Sequence, residues 1–321
     1  INTIIFGLNI LLISLKKERY DKIVCACSHL LFIGFISSII SKIHNSKFIY
    51  SIGDLHPESG LASGDFRNKI LVKILKYIDT YACKASQYIV VLSDDMTQSL
   101  RNRNILESNK IIKIPNIPHN NLQRLENSIS DKILKKDNEK FRIVFTGNIG
   151  RFQGLETVIE AMKLISKNKR VEIIFLGSGV SEKKLKNKCK KLLNKSVFFI
   201  KPKEIKYVNS LISSADVGLV SLLDGVEKCA FPSKMSGYLS MHCPLLVVAN
   251  EKSELYKMTI DFKIGVSVPQ NKPEELSKLI LKISSEKNFR EQFKKNIINV
   301  MNNFYSRTRI LDQWSDIINN C

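Results

Sequence analysis

Four short segments place reactive side chains or anion-sized turns at positions where chemistry could occur. Thr146-Gly147-Asn148-Ile149-Gly150 joins an apolar run to an amphipathic one. Glycines in such a turn let backbone N–H groups swing toward an anion, and the next helix adds the positive end of its dipole. A diphosphate suits that setting, and so does an ordinary tight strand–helix turn. The spacing matches neither the G-x-G-x-x-G nor the Walker pattern. Gly177-Ser178-Gly179 repeats the arrangement one unit later. Two glycine turns at neighbouring strand ends can form one crevice wall. In Phe231-Pro232-Ser233-Lys234 the proline suits a first helical turn, which leaves Ser233 and Lys234 to offer a hydroxyl and an ammonium to a phosphate. Gly53-Asp54-Leu55-His56-Pro57-Glu58 brings Asp54, His56 and Glu58 into one loop, where they could bind hydroxyls or move protons; the alternative is a polar surface loop.

These segments sit between elements that alternate along almost the whole chain. Strand-like runs occur at 21–27, 47–52, 88–92, 110–114, 141–146, 171–176, 197–200, 216–221 and 245–249, with helical periodicity between them. Phe66–Lys84 carries Phe66, Ile70, Ile74 and Ile78 at helical spacing, and a Lys-rich helix is expected over Glu182–Asn194. Near-continuous apolar strands alternating with amphipathic helices imply parallel sheets covered on both faces. The pattern pauses in the polar stretch 120–140 and then restarts. The expected domains are 1–125, a linker over 126–140, a second domain over 141–302, and a C-terminal helix over 303–321 that packs back on the first domain. In open sheets of this kind ligands bind at the carboxyl ends of the strands, where all four segments fall.

The chain has 321 residues, enough for two domains, and 44% of them are apolar. Its formal charge is +20, from 50 Lys and Arg against 30 Asp and Glu. Such an excess attracts polyanions, although a Lys-, Asn- and Ile-rich composition can produce it without a partner. Aromatic residues are not interleaved with the basic ones, so nucleic acid is not an expected partner. Seven scattered cysteines with no C-x-x-C pair argue against a disulfide framework and a zinc site and fit a reducing cytosol. Cys25 and Cys27 would share one strand face and pack in a core. The apolar runs 4–15 and 30–40 are too short to span a membrane. Lys69, Lys73 and Lys76 beside the stripe of Phe66–Lys84 could dock on anionic lipid. The lysines from Lys183 to Lys191 read as a solvated face.

Six motifs in register resemble the retaining glycosyltransferases of family 4, in the branch that builds bacterial O-antigen and capsule sugars. Asp54-Leu55-His56-Pro57-Glu58-Ser59 is close to D-L-W-P-E-S, with His56 in place of Trp. Val91-Leu92-Ser93 with Met96, and Ile114-Pro115-Asn116, follow in order. Thr146 to Gly150 with Gln153-Gly154-Leu155 matches T-G-N-I-G-x-x-Q-G-L, and Ala215-Asp216-Val217-Gly218-Leu219 and Pro232-Ser233-Lys234 complete the set. The match runs from about Asp21 to about Glu275.

The resemblance implies a GT-B fold: two doubly wound Rossmann-like domains facing across a cleft. It implies transfer of a sugar from a nucleotide-diphosphate donor to a lipid-linked or saccharide acceptor, with retention, no metal and no other cofactor, at the inner face of the cell membrane. Gly147, Asn148 and Gly150, with Gly177, Ser178 and Gly179, would hold the donor. Ser233 and Lys234 would neutralise the leaving phosphate. Asp54 would lie near the reacting sugar, with His56 and Glu58 beside it. The chain departs from the family in three ways. The family's opening Gly-rich strand–loop–helix does not precede Ile1, so an N-terminally incomplete first domain is expected. Gly237 stands where the family places a ribose-binding Glu, and His242 stands where it ends a helix with Gly. The alternatives are a GT-B nucleotide-sugar epimerase and a non-catalytic binder of sugar nucleotides or polyanions, the latter favoured by Gly237.

Overall fold

The computed structural model describes residues 2–16, 19–27, 31–62, 64, 66, 68–103, 110–118, 133–135, 137, 139–286 and 288–321. The expected linker 126–140 lies largely outside the described residues, as does the side chain of Cys27. The chain divides into two compact units: Ile1–Asn116 with Gly225–Phe231 and Arg307–Cys321, and Ile117–Asp224 with Pro232–Ser306.

The first unit runs α1 (Asn2–Ser14), β1 (Lys22–Cys27), α2 (Leu31–Ile43), β2 (Lys47–Ile52), α3 (Glu58–Ala62), α4 (Lys69–Ala85), β3 (Tyr88–Val91), α5 (Asp94–Arg101) and β4 (Ile111–Lys113). Its four strands are all parallel and lie in sequential order. Strand alternation gives the sheet two apolar faces. Tyr50 packs toward α2, where Gly34 leaves it room: a Cβ there would come within 2.6 Å of the Tyr50 ring. The other face carries Ile49 and Val90, which cluster with Ile114 and with Ile310 and Ile317 of the C-terminal helix Arg307–Asn319. The last segment of the chain therefore covers a sheet made from its first third.

The helix expected over Phe66–Lys84 begins later and buries a different face. Asn68 caps it, its Oδ1 accepting from the N–H groups of Ile70 and Leu71. Leu75, Asp79, Ala82 and Cys83 are buried, whereas Ile70, Leu71, Ile74 and Tyr77 are exposed. Packing, and not apolar spacing alone, selected the inward side.

The second unit runs β5 (Phe141–Thr146), α6 (Glu156–Leu164), β6 (Val171–Leu176), α7 (Glu182–Lys188), β7 (Val197–Ile200), α8 (Ile205–Ser213), β8 (Val217–Ser221), α9 (Lys234–Ser240), β9 (Leu245–Val248), α10 (Glu254–Asp261), β10 (Gly265–Val268), α11 (Pro273–Ser284) and α12 (Phe289–Asn303). The C-terminal helix is α13. The Lys-rich helix expected to reach Asn194 ends as α7 at Lys188, with a short 3-10 turn after it. All six strands are parallel, in the order β10-β9-β8-β5-β6-β7. Every residue of β5, β6, β8 and β9 is buried, which explains their uninterrupted apolar character. The winding direction reverses between β5 and β8, so the crevice outside their carboxyl ends is the position where such a sheet binds ligands. Among the described residues no helix is long and apolar enough to cross a membrane.

Candidate donor-diphosphate site and the Asp54 loop

The turn after β5, the turn after β6 and the start of α9 meet at that switch point. Gly147 leaves β5 at φ +105, and among the described residues beyond its chain neighbours a Cβ there would meet Cε of Lys234, at 4.0 Å. Gly177 leaves β6 at φ +151, and a Cβ there would lie 1.8 Å from the carbonyl oxygen of Gly147. At Gly179 it would lie 2.3 Å from the carbonyl oxygen of Ile149 and 2.6 Å from Oδ1 of Asn148. The two glycine turns are thus in backbone contact, which only a residue without a side chain permits. Ile149 donates to the carbonyl of Ser178 at 2.8 Å, and Ser181 donates to that of Ile149 at 3.0 Å, tying the turns together.

Not every turn N–H faces outward. Gly147 donates to Leu176, Gly150 to Oε1 of Gln153, and Gly177 to Ile200. The N–H groups of those three glycines, which the sequence places among the donor-binding residues, are thus consumed within the fold, and what the glycines supply there is conformation and clearance. The N–H groups of Asn148, Ser178 and Gly179 have no acceptor among the described residues. Asn148 and Ser178 are exposed and Gly179 is half-buried. These are the donors an anion could engage.

Lys234 supplies the charge. Its Nζ lies 3.9 Å from the centre of the Phe145 ring and has no hydrogen-bond or ion-pair partner among the described residues. Burial pushes its ammonium down to about 7. A desolvated cation over an aromatic face, with no carboxylate to neutralise it, favours an arriving anion. Ser233 is exposed beside it, and its hydroxyl makes no capping bond. The helix that follows has seven residues, so the attraction rests on the lysine rather than on a long helix dipole. Tyr238 is fully buried in α9, and its hydroxyl oxygen accepts from the Thr146 N–H at 2.8 Å, which anchors α9 against the end of β5.

The Asp54 loop belongs to the first unit. Asp54 bridges Ala230 in antiparallel fashion, and Leu55 donates to Cys229 at 2.7 Å. The segment Gly225–Phe231, far along the sequence, thereby braces the loop. Ser59 Oγ and His56 Nδ1 are 2.8 Å apart, and the His56–Pro57 peptide bond is cis. Glu58, grouped from the sequence with proton-transferring candidates, is committed elsewhere. Its carboxylate accepts from Nε of Arg103 at 2.9 Å and from Nη2 of the same side chain. Arg103 also donates to the His56 carbonyl at 2.9 Å and to Asp79, which accepts from the Tyr50 hydroxyl at 2.9 Å. Burial disfavours the Glu58 charge, but Arg103 more than offsets it and holds the carboxyl below its ordinary value. Burial pushes Asp79 upward against the pull of the same guanidinium. The geometry makes Glu58 a brace of the loop and leaves Asp54 and His56 as its half-buried polar groups. Burial, with Asp54 as the largest nearby charge, pushes the Cys229 thiol up to about 12, so it is no nucleophile. Among the described residues no group of three or more His, Cys, Asp or Glu could hold a metal ion.

The two parallel-sheet units and the switch-point crevice define a GT-B architecture, and comparison with known proteins agrees. The family described as "Glycosyl transferases group 1" matches residues 126–300, more than half of the chain, and the chain belongs to that family. The Pseudomonas aeruginosa protein "Probable glycosyltransferase WbjE" is 24% identical over 249 residues, covering 73% of this chain. The chain spans 59% of the length of that relative. Among solved structures, Anabaena Alr3699/HepE in complex with UDP superposes with a TM-score of 0.76 at 13% identity, over 98% of this chain and 82% of that one. WaaG, a glycosyltransferase involved in lipopolysaccharide biosynthesis, superposes with a TM-score of 0.68 at 13% identity, over 97% and 94% of the two chains.

Proposed function

We propose that this chain moves a sugar from a nucleoside-diphosphate sugar to a lipid-linked or saccharide acceptor in cell-surface polysaccharide synthesis, with retention and without a bound metal. The observation that carries the reading is the convergence of three things at the switch point: two interlocked glycine turns, the N–H groups of Asn148, Ser178 and Gly179, and the ammonium of Lys234, the last two without hydrogen-bond or ion-pair partners among the described residues. As the bond from C1 of the sugar to the diphosphate oxygen breaks, its electron pair moves onto the phosphate. Fixed N–H donors and a cation aimed at that oxygen lower the barrier, because they are already oriented before charge develops. The acceptor hydroxyl forms the new bond to C1 and its proton passes to the departing phosphate oxygen, which has taken the electron pair of the broken bond; Asp54 and His56 are the groups we assign to that acceptor side. Anabaena Alr3699/HepE, which shares the fold, was solved with UDP, and UDP is therefore the natural first probe.

The lipid-linked alternative for the acceptor draws support from α4. Ile70, Leu71, Ile74 and Tyr77 form an outward stripe flanked by exposed Lys69, Lys73 and Lys76, the composition of a helix that rests on an anionic lipid surface. On that ground we assign the protein to the inner face of the cell membrane.

The test is binding and turnover together. UDP and GDP are titrated by calorimetry against the protein and against Lys234→Met and Gly177→Ala. UDP-sugars are then screened with membrane-lipid and saccharide acceptors. Binding of one nucleotide, weakened by both substitutions, supports the reading. Indifference of both variants, or a product of inverted anomeric configuration, refutes it.

A further inference from the structure

A second cavity, of about 950 Å³, opens in the second unit away from the glycine turns. It is lined by Lys140, Lys163, Lys169, Lys188, Lys190, Lys191 and Lys195, seven of the thirteen lining residues among those described. Lys140 directly precedes β5, Lys169 lies just before β6, and Lys195 lies just before β7. The cavity therefore sits at the amino ends of the strands, whereas Gly147 and Gly177 leave from their carboxyl ends. It is a separate place on the sheet, outside the crevice such folds ordinarily use.

Among the described residues two carboxylates form ion pairs with these lysines, and a third, Glu156, is drawn to Lys188. Glu160 meets Lys163 at 3.0 Å and Lys188 at 3.8 Å. Glu172 meets Lys140 at 3.4 Å, but it is also paired with the buried Arg142 at 2.7 Å. Lys169, Lys190, Lys191 and Lys195 are exposed and have no ion-pair partner among the described residues. Like charges gathered around one concavity repel one another and raise the local concentration of anions. A solvated lysine face would spread over a convex surface, whereas these side chains line one concavity.

The lining also selects among anions. Among the described residues no aromatic ring and no arginine lines the cavity, so they offer neither base stacking nor a bidentate guanidinium fork. Its two apolar lining residues, Cys189 and Leu192, are buried, so nothing projects to insert into a lipid layer. Compact ammonium point charges around a hollow suit a small soluble ligand dense in phosphate. We propose that this cavity binds a soluble polyphosphate-type anion, carrying several phosphate groups, at a site separate from the one for the donor diphosphate. The proposal does not rest on the donor reading.

The probe is inositol hexakisphosphate, titrated by calorimetry into the full chain with saturating UDP present, and in parallel without UDP. The comparison proteins are the quadruple variant Lys169→Gln, Lys190→Gln, Lys191→Gln, Lys195→Gln and a control, Lys257→Gln, Lys278→Gln, Lys282→Gln. All seven side chains are exposed, so both variants are expected to fold, and their thermal unfolding is checked first. The expected result is one-to-one binding that UDP does not displace, weakened about tenfold or more in the quadruple variant, unchanged in the control, and declining steeply with salt. Equal binding by the quadruple variant overturns the proposal, as does displacement by UDP. So does preferential binding of single-stranded DNA, or of vesicles of anionic phospholipid, through the same four lysines.

Discussion

Replacing Arg103 tests whether the Asp54 loop is held by a buried charge network. The Arg103 and Asp79 side chains are 1% and 2% exposed, and Glu58 is 25% exposed. Arg103→Met keeps most of the apolar stem but removes every donor to Asp79, Glu58 and the His56 carbonyl. Asp79 is then left with the Tyr50 hydroxyl as the one hydrogen bond described for its carboxylate. Breaking a buried pair by removing one partner costs about 3–5 kcal/mol, which lowers the unfolding midpoint by about 10 °C for a unit of this size. Without Arg103 the Asp79 carboxyl rises further above its unfolded value, because burial is no longer opposed. The folded state then binds the proton more tightly than the unfolded state. The variant's deficit should therefore be smaller at about pH 5 than at about pH 7, since stability from a raised carboxyl is present at low pH and lost as pH rises. The assay is thermal unfolding by circular dichroism at both pH values, on Arg103→Met and on Arg103→Met with Asp79→Asn. The double variant should recover a large part of the loss, because no buried charge remains unpaired. A single variant within about 1 kcal/mol of the parent, or a double variant no better than the single, would refute the reasoning. UDP binding, which we assign to the other unit, should be unchanged in both.

Three further outcomes are expected. Lys234 loses its charge as pH rises through about 7, and a bound diphosphate favours the charged form, so UDP affinity should weaken several-fold between about pH 7 and about pH 8.5. Calorimetry in buffers of different ionisation heat should show proton uptake there, and Lys234→Met should remove the pH dependence. His242 ends α9 in the left-handed region at φ 51, a conformation that glycine adopts without strain. His242→Gly should raise stability by about 0.5–1 kcal/mol, read as an increase of about 2 °C in the unfolding midpoint; a decrease would show that the side chain outweighs the backbone. At Gly237 in α9 an added Cβ meets nothing within 4 Å, so Gly237→Glu should fold without loss and, by placing a ribose-binding carboxylate where the family has one, tighten UDP binding several-fold. Weaker binding would show that this chain holds its nucleotide in another way.

Local pattern alone determined much of this protein. The uninterrupted apolar runs at Phe141–Thr146 and Val171–Leu176 required strands buried on both faces, and the glycine turns after them had to lie at strand ends. The meeting of these turns at the carboxyl ends of the strands was therefore legible before any coordinates. Tertiary structure decided which atoms are available there. The N–H groups of Gly147, Gly150 and Gly177 are consumed by Leu176, Gln153 and Ile200, while those of Asn148, Ser178 and Gly179 have no acceptor among the described residues. No spacing rule reveals this, because the acceptors come from a neighbouring strand or from a side chain whose direction is set by packing. For the same reason Arg103 escaped notice: its partners Glu58 and Asp79 lie 45 and 24 residues away, and burial is what makes their pairing matter. The outward face of α4 and the bracing of the Asp54 loop by Gly225–Phe231 are likewise products of long-range packing. Periodicity reports which residues share a face, whereas the surrounding elements decide which face meets the core.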